Sequence, residues 1–241
     1  ARRAGRRQAG RSAPGGRTDE LLRETDPADV VHALQQAGLL PAIYFVFSRK
    51  DTERVAEELS VNSLVDNRQR RAIVERAEEY LSKLEPVDRG LEQVQNLERV
   101  LRSGIAYHHA GLLPILKVLV EDLFAQGLLP VVVATDTLAL GVNLPAKTVV
   151  IGEMTKFDGE SRRLLTPNEY QQMTGRAGRR GLDRRGTAVI PYSPWVGFDE
   201  AIGVAQGELH PVRSGFAIRY NTLLNLWNYY GEDQIVSLFS N

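Results

Sequence analysis

The stretch "PAIYFVFSRKDTERVAEEL", Pro41 to Leu59, changes periodicity at its middle. Its first half is a continuous apolar run rich in aromatic and branched side chains, which suits a strand buried on both faces. From Ser48 onward the pattern is helical, with Ser48 in the cap position. The same strand–turn–helix unit recurs twice. "GIAYHHAGLLPILKVLVEDLFAQG" (104–127) gives a short strand, a turn and a helix ending at Gly127, and "PVVVATDTLALGVNLPA" (130–146) gives another strand, turn and short helix. "TVVIGEM" (148–154) and "GTAVIPY" (186–192) complete the strands. Alternation of this kind predicts an α/β fold, a parallel sheet with helices on both faces.

Composition bounds the rest. The chain has 241 residues, 43% of them hydrophobic, enough for one good core. It contains no cysteine, which excludes a disulfide framework, a thiolate metal site and a cysteine nucleophile. No apolar run approaches the roughly 20 residues of a membrane span, so a soluble, cytoplasmic protein without membrane contact is expected. The formal charge of zero hides an asymmetry. Residues 1–17 hold six arginines and no acid, and the remainder carries 24 basic against 30 acidic residues. Any contact of the body with a polyanion therefore has to come from focused clusters.

Residues 1–17 lack large apolar side chains and are expected to be a disordered linker, with a nonspecific nucleic-acid arm as the other reading. From Thr18 the pattern is periodic. "DPADVVHALQQAG" (26–38) reads as a helix capped by Asp26, carrying Pro27 in its first turn and ending at Gly38. Residues 60–103 are polar and charged and read as an inserted helical pair joined near Pro86. One domain is expected over 18–208. Residues 209–241 are helical in period, with Phe216, Tyr220, Leu223, Leu224 and Trp227 on one stripe, and read as the truncated start of a further domain.

In an open parallel sheet, ligands bind at the carboxyl ends of the strands. Three polar turns lie there: Phe47 to Lys50, Tyr107 to Gly111, and Ala134 to Gly141. Free backbone N–H groups at such turns suit the phosphates of a nucleic-acid strand, contacts that position without reading sequence. Each has a plainer reading. Ser48, Thr135 and Thr137 also serve as ordinary helix caps. Adjacent His108 and His109 point apart, with no carboxylate or histidine cluster to complete a metal site. One is expected to pack or bond structurally and the other to face the ligand. Asp136 would repel a phosphate, so it is expected to orient a neighbouring donor.

"YQQMTGRAGRRGLD" (170–183) sets three arginines among three glycines. Read as helical, Arg176 and Arg179 are three residues apart and share one face. Two guanidinium forks suit a multiply charged phosphate group, where charge in phosphoryl transfer spreads over several oxygens. The sequence contains no G-x-x-x-x-G-K-[ST] loop, and no D-E-x-[DH] follows a strand. Half of an active site is therefore expected.

"QMTGRAGRRGLD" resembles motif VI of superfamily-two helicases as worded in the Ski-like (superkiller) DExH-box RNA helicases. "ATDTLALGVNLPAKTVV" resembles their motif V, "YHHAGLLPILKVLVEDLF" the segment before it, and "AIYFVFSRKDTERVAEEL" their motif IV. "KFDG" (156–159) and "HPVRSGFAIRYNTLLNL" (210–226) match further family blocks. The resemblance implies a second RecA-like domain followed, from 209, by the start of a winged-helix region. It implies ATP and Mg²⁺, held mainly by a first RecA-like domain of the same protein, and single-stranded RNA or an RNA duplex with an overhang as substrate. It further implies RNA-decay nucleases as partners and a monomeric enzyme. On this resemblance Arg176 and Arg179 are arginine fingers at the γ-phosphate and Gln172 faces the nucleotide. Gly141 and Asn143 link nucleotide to nucleic acid, Thr135 meets a backbone phosphate, and Ser48, Arg49, His109 and Gly111 align with segments that contact RNA. Two rival readings are a DNA-repair helicase of the related archaeal type, which shares "HHAGL" and "GVNLPA"-like strings, and a nucleic-acid-binding module without catalysis.

Overall fold

The computed structural model describes residues 23–141, 144–211 and 220–239. The arginine-rich opening, Asn143 and Phe216 lie outside these. Helix α1 (Pro27–Gln36) begins at Asp26, whose carboxylate accepts the Ala28 N–H at 2.9 Å, and the chain leaves it through Gly38 at φ +64°. Strand β1 (Ala42–Phe45) then leads into α2 (Arg49–Ser60). Residues 60–103 hold three helices where the pattern suggested two: α3 (Asn67–Leu81), the short α4 (Pro86–Arg89) and α5 (Glu92–Leu101). Next come β2 (Ile105–His108), α6 (Pro114–Ala125), β3 (Val131–Ala134), α7 (Thr137–Gly141) and β4 (Thr148–Ile151). An antiparallel hairpin, β5 (Thr155–Phe157) and β6 (Arg162–Leu164), precedes α8 (Pro167–Thr174), β7 (Thr187–Val189) and α9 (Phe198–Ala205).

Five strands form one parallel sheet in the order β2-β3-β1-β4-β7. Strands β1 to β4 are buried along their whole length, as the unbroken apolar runs require. Helices surround the sheet, and α2, α5 and α6 pack against β2. The stretch 60–103 is not an appendage. Ile73 and Leu81 of α3 and Val94, Leu97 and Leu101 of α5 are at most 2% exposed and belong to the same core cluster as Ile43 and Leu119. Truncating one of these leucines to alanine costs roughly 2–5 kcal/mol, lost transfer energy plus the cavity.

The chain divides into two compact units between Glu208 and Leu209. In the second, α10 (Tyr220–Trp227) packs on α11 (Glu232–Phe239). Tyr220, Leu224 and Trp227 of its apolar stripe are exposed. Among the described residues no helix is long and apolar enough to cross a membrane.

Candidate functional site

Parallel pairing sets His108, Ala134 and Phe45 in one row across β2, β3 and β1. The turns that follow these residues therefore leave the same end of the sheet, side by side. Two backbone bonds stitch them together, the Thr135 N–H to the His108 carbonyl at 3.1 Å and the Val46 N–H to the Ala134 carbonyl at 3.0 Å.

Ser48 closes the first turn as the N-cap of α2. Its hydroxyl accepts the Asp51 N–H at 2.9 Å and donates to the Asp51 carboxylate at 2.5 Å, so it is engaged in both directions. That hydrogen bond, opposed by partial burial and helped by Arg54, holds the Asp51 carboxyl below the usual range. Arg49, the next residue, is exposed and lies across Gly111: a Cβ added at Gly111 would meet Arg49 Nη1 at 3.1 Å and His109 Nδ1 at 3.2 Å. Glycine lets the guanidinium stem rest on the backbone of the second turn. Arg49, His109 and Gly111, distant in sequence, are thus neighbours.

Both histidines are buried, at 5% and 4% exposure. Each has a separate carboxylate, His108 Nε2 at 2.9 Å from Glu121 and His109 Nε2 at 2.9 Å from Glu53. Glu53 and Glu121 sit on different helices, so these pairings were not legible in the sequence. His109 Nδ1 accepts the Gly111 N–H at 3.1 Å while Nε2 lies against Glu53, so the ring braces α2 to the glycine turn. Its face stacks on Tyr107, with centroids 5.8 Å apart. Tyr107 in turn donates to the Gln93 carbonyl at 3.2 Å, and the Gln93 side chain accepts the Leu113 N–H at 3.1 Å. Helix α5 of the 60–103 stretch thereby props the second turn from behind. His108 keeps its Nδ1 without a partner, and burial pushes its pKa down despite Glu121. Among the described residues no group of three or more His, Asp or Glu side chains could hold a metal ion.

In the third turn Thr135 is buried and its hydroxyl lies 2.8 Å from that of Thr137, which is the exposed member of the pair. Asp136, expected to orient a neighbouring donor, accepts one from outside its own turn. Lys156 of β5 reaches it at 3.3 Å.

The arginine segment is not helical. Helix α8 begins in a capping box, Thr166 accepting the Glu169 N–H at 3.2 Å and Glu169 accepting the Thr166 N–H at 2.8 Å, and it ends at Thr174 with Gly175 as cap. Arg176 and Arg179 therefore lie on a turn, not on one helical face. That turn is fastened by its backbone. The Ala146 N–H donates to the Arg176 carbonyl at 2.9 Å and the Gly178 N–H to the Ala146 carbonyl at 2.7 Å, a parallel bridge onto the chain between α7 and β4. Gly178 adopts φ +92° and packs backbone to backbone on Gly186. Here glycine is required twice, once for conformation and once for space. The Arg176 guanidinium donates to the Ala139 carbonyl in α7. Arg179 donates through Nε at 2.7 Å and Nη2 at 3.0 Å to the two oxygens of Asp183, and its own N–H reaches the same carboxylate at 3.0 Å. The Arg179 fork pulls the Asp183 carboxyl down to about 2. Asp183 and Lys156 are the groups that sequence reading did not assign. An arginine and an aspartate four residues apart were the available signal for Asp183.

Gln172 is exposed and lines a cleft of about 240 Å³ with Phe47, Asp136, Ala139, Lys156 and Glu169. Gly141 ends α7, the helix that receives Arg176.

Residues 61–181 match the family model of the helicase conserved C-terminal domain. The chain belongs to that family, and within it the Ski-like resemblance carried by the motif VI string holds. It is 40% identical over 230 residues to the probable helicase HelY of Mycobacterium tuberculosis, which is 95% of this chain and 25% of that protein. It is 40% identical over 199 residues to the antiviral helicase SKI2 of Saccharomyces cerevisiae, covering 82% of this chain and 16% of the yeast protein. Over 222 residues it is 37% identical to the ATP-dependent RNA helicase mtr4 of Schizosaccharomyces pombe, covering 92% and 20%. The chain thus spans about a quarter or less of the length of these relatives.

Proposed function

We propose that this chain is the second RecA-like half of an ATP-dependent RNA helicase, with residues 209–241 opening a winged-helix region. One observation carries the reading: the arginine turn is bonded to the segment between β3 and β4, so a nucleotide-facing group and a nucleic-acid-facing group move as one body. ATP would bind between this domain and a first RecA-like domain of the same protein, and Mg²⁺ would be held there too. The donor chemistry on this side fits a triphosphate. Arg176 and Arg179 stand on a backbone-locked turn, where guanidinium donors beyond those given to Ala139 and Asp183 can meet charge spread over phosphoryl oxygens. Gln172 lines a cleft with Asp136, Lys156 and Glu169 and is read as nucleotide-facing from the resemblance. No carboxylate cluster in the described residues suits Mg²⁺, so no step is assigned to metal here.

On the other side, Arg49 over Gly111 and the Thr135–Thr137 pair form a row of donors at the carboxyl ends of the strands. Such a row suits backbone phosphates irrespective of base. His109 acts there through position: it is buried and fixes the glycine turn on which Arg49 rests. Closure of the two lobes on ATP would grip single-stranded RNA, and hydrolysis would release it, moving a cytoplasmic, monomeric enzyme along one strand and feeding RNA-decay nucleases. An unwinding assay on the intact protein with matched RNA and DNA tracking strands tests the reading. RNA-dependent unwinding is expected, and unwinding on DNA alone overturns it in favour of the repair-helicase alternative.

A further inference from the structure

The hairpin β5–β6 carries "KFDG" and lies outside the turns described so far, yet two of its three cations converge on a single carboxylate. Lys156 and Arg163 are register partners across the hairpin, and both reach Glu169. Lys156 Nζ lies 2.5 Å from Glu169 Oε1, while Arg163 grips both Glu169 oxygens at 2.9 Å. The Thr166 N–H adds a third donor, so the carboxylate has no freedom to turn. The Arg163 fork, against partial burial and with help from Lys156, draws the Glu169 carboxyl far below its usual range.

Lys156 does not stop at Glu169. Its ammonium also lies 3.3 Å from Asp136, in the turn that separates Thr135 from Thr137. Lys156 and Glu169 side chains are 20% and 21% exposed, which sets them apart from solvated surface pairs. Burial works against the Lys156 ammonium, but the Glu169 and Asp136 carboxylates more than offset it and raise its pKa. The three groups wall the cleft that Gln172 lines, one helical turn beyond Glu169. A charge shared between carboxylates on two different segments resists any change in the distance between them.

We propose that Lys156 is a positioning residue that ties the nucleic-acid-facing turn after β3 to the nucleotide-facing helix α8, so that each ligand affects the affinity for the other through it. The proposal rests on the helicase reading above and adds to it a named carrier of coupling. A strut of this kind contributes nothing to either binding site alone. It contributes to the free energy that links them, which is reciprocal between the two ligands.

The test measures the dissociation constant of a mixed-sequence single-stranded RNA for the intact protein, with and without a nonhydrolysable ATP analogue. The wild type gives a coupling ratio; Lys156→Met and Asp136→Asn are expected to lower it by about tenfold, inside the roughly 5–150-fold range of site-to-site coupling. Lys156→Arg should retain most of the ratio, and RNA affinity of Lys156→Met without nucleotide should stay within about twofold of wild type. A Lys156→Met protein with the full ratio overturns the proposal, as does one that has simply lost RNA affinity in the absence of nucleotide. If Lys156→Met does not fold, Asp136→Asn, which leaves the Lys156–Glu169 pair in place, decides by the same ratio. Wild-type protein that hydrolyses ATP on RNA but shows no coupling overturns the strut and leaves the helicase reading standing. Wild-type protein that neither binds RNA nor hydrolyses ATP removes both.

Discussion

Replacing Gly186 with alanine introduces a single methyl group where there is no room for one. The Cβ would overlap the Ala177 carbonyl group and stand 2.7 Å from the Gly178 nitrogen. All three atoms are backbone, so no side-chain rotation relieves the overlap. The arginine turn has to retreat from β7 by about 1 Å to restore ordinary contact. Overpacking of this kind costs roughly 1–3 kcal/mol. For a chain of this size that lowers the thermal midpoint by about 2–12 °C. On the proposed arginine-finger roles the larger consequence is catalytic, because Arg176 and Arg179 lie on the same turn as Ala177 and move with it. A displacement of about 1 Å at a catalytic group can cost on the order of 10²-fold in rate. Gly203→Ala is the matched control. It lies in α9 with nothing within 4 Å of the added Cβ, and it should stabilise by about 0.5–1 kcal/mol while leaving turnover unchanged. Calorimetry on the chain and ATP turnover of the intact protein read both effects. Gly186→Ala with a wild-type midpoint and rate would refute the close packing of the arginine turn on β7.

Thr135→Val keeps the shape but removes a hydroxyl that pairs with exposed Thr137. It should weaken RNA binding by about tenfold, the scale of one hydrogen bond to a charged group, and do so equally for oligonucleotides of different sequence. A strongly base-dependent loss in a filter-binding series would contradict a backbone contact. For pH, His108 is the informative group. Burial lowers its folded pKa, so between that value and about 6.5 the unfolded chain binds a proton that the folded chain does not. Stability should therefore fall as pH drops from 7 towards 5, by at most about 1.4 kcal/mol per pH unit from this residue. His108→Gln should flatten the dependence in urea midpoints, and an unchanged slope would assign it elsewhere.

The sheet was legible because buried parallel strands read as unbroken apolar runs and each led directly into a capped helix. Asp26, Pro27 and Gly38 marked α1 for the same local reasons. The three site turns followed from strand direction alone. What escaped was either non-local or locally ambiguous. Nothing in the periodicity of residues 170–183 separates a helix that continues through Arg179 from one that stops at Thr174. The decision lies with the Gly178–Gly186 approach and the Ala146 bridge, contacts across the fold. The partners of His108 and His109 were invisible for the same reason, since Glu121 and Glu53 arrive on helices far apart in the chain. The hairpin had a readable signal. In "TKFDGESRRL" Asp158 accepts the Glu160 and Ser161 N–H groups at 3.0 and 2.9 Å, and Gly159 takes φ +108°, as an Asp-Gly turn does. Its function was not readable, because Lys156 acquires meaning only when folding brings Asp136 and Glu169 to it.

The proposed function depends most directly on the Arg179 guanidinium, held by Asp183 on a locked turn. Single-turnover ATP hydrolysis by the intact protein, wild type against Arg179→Ala at saturating RNA, tests it. A loss of about 10³–10⁵ in rate with RNA affinity preserved is predicted, the magnitude known for arginine fingers. Hydrolysis within a few-fold of wild type would contradict the assignment.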